Sequence, residues 1–105
     1  MASAGKGFIY LDKKDFSSNS ELVNTFEEAL KMLKIINSYY ASVILRAYND
    51  KDLAVHYDNG KYSTCPVSNG LNTPDTEYDN FDDLVEDCIQ LFNDNDCKGF
   101  MIAYN

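Results

Sequence analysis

Two stretches of this chain carry the spacing of a single buried helix face. Leu22, Val23, Phe26, Ala29, Leu30, Leu33 and Ile36 recur at i, i+3, i+4 and i+7, and Phe81, Leu84, Val85, Cys88, Leu91 and Phe92 repeat the pattern. Neither helix can bury its stripe alone, so the β-prone runs around them must supply an opposing layer. Those runs are Gly7–Asp12, Ala41–Tyr48, Leu53–Tyr57, Lys61–Cys65 and Lys98–Tyr104. Between the third and fourth, Asp58-Asn59-Gly60 supplies the positive-φ pair of a tight type I′ hairpin. Pro66 is expected to end the fourth strand, and residues 66–79, with both prolines, to form a surface loop.

Capping signals place the helices. Ser18 with Glu21 and Thr25 with Glu28 both make capping boxes for the first helix, and the apolar stripe favours a start near Ser20. Asn80 caps the second, with Asp83 three residues on. Phe26-Glu-Glu-Ala-Leu also lines up with Phe81-Asp-Asp-Leu-Val, a faint internal repeat of helix followed by strand. The order β-α-β-β(-β)-α-β predicts an α+β, ferredoxin-like sandwich, two helices packed on one face of a mainly antiparallel sheet. Residues 1–105 are expected to form one domain, with 1–6 as a disordered tail.

Charge is distributed unevenly along this pattern. The chain of 105 residues has 9 Lys and Arg against 17 Asp and Glu, a formal charge of −8. Residues 1–61 hold eight basic and eight acidic side chains and balance at zero. From Tyr62 to Cys97 there are nine acids and no Lys or Arg: Asp75, Glu77, Asp79, Asp82, Asp83, Glu86, Asp87, Asp94 and Asp96. A surface of mixed sign is the usual arrangement in a soluble domain. The acidity disfavours direct contact with nucleic acid or an anionic membrane. No apolar run approaches the ~18 residues that span a bilayer, and the N-terminus lacks the apolar core of a signal peptide. Three irregularly spaced cysteines (Cys65, Cys88, Cys97) suit reduced thiols, so the expected compartment is the cytoplasm.

Catalytic and metal motifs fare poorly. His56 is the one histidine, within a β-prone run, and local sequence nominates neither a nucleophile nor an orienting acid for it. Cys65 reads as a small strand residue, with Lys61 the only nearby cation. No enzyme activity and no cofactor are expected. Asp75, Glu77, Asp79 and Glu86 fall at positions 1, 3, 5 and 12 of a calcium-loop spacing. Asn80 stands where that loop needs Gly, and residues 80–86 fit a helix better, so no metal site is assigned.

What remains is the acidic helix. Asp82, Asp83, Glu86, Asp87 and Asp94 lie opposite its apolar stripe, and Asp75, Glu77 and Asp79 precede it, with Tyr78 among them as an aromatic anchor. Asp82 and Asp83 suit the helix dipole, but Glu86 and Asp87 repel them at i+4 by ~0.2–0.5 kcal/mol each. Carboxylates spaced ~5–6 Å apart on such a face resemble in scale the phosphates of a nucleic-acid strand. The expectation is a small cytoplasmic binding protein that occludes a basic, nucleic-acid-binding surface of a partner such as a nuclease. Anti-restriction, anti-CRISPR and toxin-immunity proteins act in this physical manner. Its alternative is a ligand-binding or regulatory module with a sheet-face pocket near His56 and Tyr62, or a homodimer through a sheet edge. Tyr39, Tyr40, Tyr57 and Tyr62 are further half-exposed aromatic candidates at element ends.

Overall fold

In a computed structural model, the protein is described over residues 7–37, 41–47, 52–68, 71–72, 76–93 and 97–104. Seven strands and two helices follow in the order β1 (Gly7–Asp12), α1 (Asn19–Ile36), β2 (Ser42–Ala47), β3 (Asp52–Asp58), β4 (Lys61–Ser68), β5 (Leu71–Asn72), β6 (Thr76–Tyr78), α2 (Phe81–Asn93) and β7 (Cys97–Tyr104). A short 3₁₀ turn, Lys13–Asp15, links β1 to α1. The expected tail, residues 1–6, lies outside the described residues, as do Tyr39 and Tyr40.

The class is α+β, and the sheet is antiparallel throughout, in the order β1-β7-β2-β3-β4-β5 with β6 also beside β4. The ferredoxin-like order is not confirmed. In that arrangement the first strand is interior and the last lies outside it. Here the last strand enters between β1 and β2, pairing Phe100 with Leu11 on one side and with Leu45 on the other. The physical reason lies in β7 itself, whose apolar residues alternate onto both faces as an interior strand requires. Phe100 is fully buried on the helix face, while Met101 is half-buried on the other.

Local chemistry explains the element ends. Ser18 is the cap of α1, accepting the Glu21 amide at 3.1 Å, while the Glu21 carboxylate reaches back to the amide and hydroxyl of Ser17. Helix α1 therefore starts at Asn19, just before the expected Ser20; Thr25 instead donates its hydroxyl to the Glu21 carbonyl. Asn37 closes the helix in the left-handed region, its amide on the Leu33 carbonyl at 2.8 Å. Asn59 and Gly60 take φ of 57° and 80°, the expected hairpin geometry.

Residues 66–79 carry more strand than expected. Strand β4 runs through Pro66 to Ser68, and β5 and β6 both pair with it. Pro66 falls between the residues bonded to β6 (Tyr62–Thr64) and those bonded to β5 (Val67, Ser68). At that gap in the outer ladder a missing amide costs least.

Both helices pack on the sheet face that carries Val43, Leu45, Val55, Tyr62 and Phe100. At its centre Phe26 of α1, Phe92 of α2 and Phe100 of β7 meet edge-on, with centroids 5.0–6.3 Å apart. Edge-to-face contact suits the ring quadrupoles and adds to the area all three bury. Tyr62, read from sequence as half exposed, is instead core: its hydroxyl donates to the Leu30 carbonyl at 2.7 Å and its ring meets Tyr57 and Phe81. Gly99 is the tightest point of the sheet. At φ 144° a Cβ there would collide with the Leu11 carbonyl oxygen and come within 3.0 Å of the Lys13 amide. Gly99→Ala should therefore cost at least about 2 kcal/mol, read as a lower urea midpoint. An unchanged midpoint would mean that β7 is not locked against β1 at this residue.

Candidate acidic interface

Helix α2 is held by its apolar side. Leu84, Val85, Cys88 and Phe92 are buried, and the ring of Phe81 packs against Tyr62. Asn80 accepts the Asp82 amide on its side-chain oxygen at 2.7 Å and starts the helix. The fixed inner face leaves Asp82, Asp83, Glu86, Asp87 and Gln90 exposed on the outer one. No Lys or Arg lies within α2, and its C-terminal end is served from elsewhere in the chain. Lys13 donates its ammonium to the Phe92 carbonyl at 3.0 Å, placing a cation where the helix dipole is negative. Lys13 is 79 positions away, so no local sequence signal could have found it.

The structure keeps part of the expected strip together and breaks the rest. Asp79, Asp82, Asp83, Glu86 and Asp87 lie on or just before the exposed side of α2. Glu77 does not join them. It pairs with Ser63, whereas Tyr78 pairs with the core residue Tyr62, so strand alternation sends Glu77 to the opposite face of the sheet. Asp75, Asp94 and Asp96 lie outside the described residues. The calcium-loop spacing is likewise divided, with Glu77 in β6, Asn80 capping, and Asp82 and Glu86 in the helix. Among the described residues no three His, Cys, Asp or Glu converge as a metal site.

Two contacts modify the acidic surface. Lys61 approaches Asp79 at 3.4 Å, an exposed pair that screens the strip at its N-terminal end. Lys61 reaches there because the hairpin returns β4 beside β6. Tyr78 donates its hydroxyl to Asp87 at 2.8 Å, so it bridges β6 to α2 rather than standing free. Burial, and then that bond to a carboxylate, raise its phenol above the ordinary value.

Cys65 and His56 lie in the sheet, on β4 and β3. All three cysteines are buried, and no disulfide joins them. Burial foremost, then Asp87, pushes the Cys88 thiol from 9.0 up to about 12, which opposes thiolate formation. His56 pairs with Ser63 on the face away from the helices, while Tyr62 faces the core. The two side chains therefore lie on opposite faces of the sheet. Two hollows among the described residues, of about 20 and 140 Å³, lie elsewhere, beside the C- and N-terminal ends of α1. Both are below the ~300–1,000 Å³ of ordinary ligand pockets. No helix among the described residues is long and apolar enough to cross a membrane. Comparison of the chain with protein-family models, curated proteins and solved structures returns no match.

The buried acids of the core give a pH dependence. Burial, then neighbouring Tyr57, lifts Tyr62 from 10.0 to about 12, and Cys88 is raised as above. Both groups are neutral when folded and ionise more readily when unfolded. Their stabilisation is complete below about pH 9 and is lost as pH rises toward 12. The urea midpoint should fall across that window. A Tyr62→Phe/Cys88→Ala variant, weaker at pH 7, should lose less over the same range, and an equal loss would remove these groups as its cause.

Proposed function

We propose that the protein is a small non-enzymatic binding protein whose acidic α2 face occludes a basic, nucleic-acid-binding surface on a partner protein, such as a nuclease. One observation carries the proposal. Asp82, Asp83, Glu86 and Asp87 are all exposed on one helix without a cation among them, on a backbone anchored by four buried side chains. Asp82 with Glu86 and Asp83 with Asp87 are like-charge pairs at i, i+4, an arrangement that weakens a helix. Stability alone does not account for it, whereas recognition of Lys and Arg on a partner does. Such an interface gains orientation and association rate from complementary potential, and desolvated carboxylate–Arg pairs give it specificity. Gln90 and Tyr78 would border the charged centre.

The anchoring of α2 matters to this role. A preformed row of carboxylates need not be ordered on binding, so less of the interaction energy is consumed in fixing it. The buried stripe holds the spacing while the acids remain solvated in the free protein. The geometry suits competition for a site that would otherwise accept a phosphate backbone.

Stability and binding should respond oppositely to substitution. Glu86→Gln relieves the repulsion with Asp82, so it should leave stability unchanged or raised by ~0.2–0.5 kcal/mol in urea titration. Asp82→Asn, Asp83→Asn, Glu86→Gln and Asp87→Asn together should abolish capture of a basic partner from the native host. With the wild-type chain, affinity for that partner should fall steeply as salt rises. Capture unaffected by the four substitutions, or affinity indifferent to salt, would remove the proposal.

A further inference from the structure

No further inference is drawn: the strongest candidate, the exposed apolar patch that Met32, Ile35 and Ile36 form on the last two turns of α1, carries nothing, because nothing in the structure shows what covers it.

Discussion

Phe100 meets Phe26 and Phe92 edge-on, and through these contacts β7, α1 and α2 are tied at one point. The last strand of the chain must enter the interior of the sheet for this to occur. Once there, it fastens β1 to β2, and the approach of its Gly99 to β1 fixes how closely they lie. The placement of α2 follows from this. Helix α2 has to span from β6 to β7, and its apolar stripe must lie on the Phe92 side. Its acidic residues are then left facing water.

Charge placement follows the same division. Residues 1–61, which supply β1 to β3 and all of α1, are electrically balanced, while the acidic excess rides on the late segment. The chain keeps a cation available for the C-terminal end of α2 by lending Lys13 from the turn after β1. It places Lys61 against Asp79 at the other end. Between these two, the four carboxylates of the helix are left without a basic neighbour on their own element.

Much of this was legible in the sequence, and the misses share a cause. The 3.6-residue stripes located both helices, Asn59-Gly60 located the hairpin, and Asn80 located the start of α2, because each is a local preference with a local readout. The strand order was not legible, since β7 could have taken the outside of β1 with the same periodicity. Only its two-sided apolar pattern, Phe100 inward and Met101 outward, hinted at an interior place. Tyr62 was misread for a related reason. A tyrosine after a hairpin turn can face either way, and the partner of its hydroxyl is a helix carbonyl 32 residues earlier. Glu77 looked continuous with the helix acids in sequence, but alternation along a three-residue strand turned it to the other face. Pro66 was read as a strand end because the gap between β6 and β5 that tolerates it is a property of the assembled sheet.

The central claim is that the α2 carboxylates occupy a surface that a nucleic acid would otherwise use. It is tested most directly by titrating the protein into a complex of the captured partner with a labelled oligonucleotide and following the label's anisotropy. Competition predicts complete release, with an apparent affinity that weakens in proportion to oligonucleotide concentration, and no release by the variant carrying all four α2 substitutions. A stable ternary complex, or release that the substituted variant matches, would contradict it.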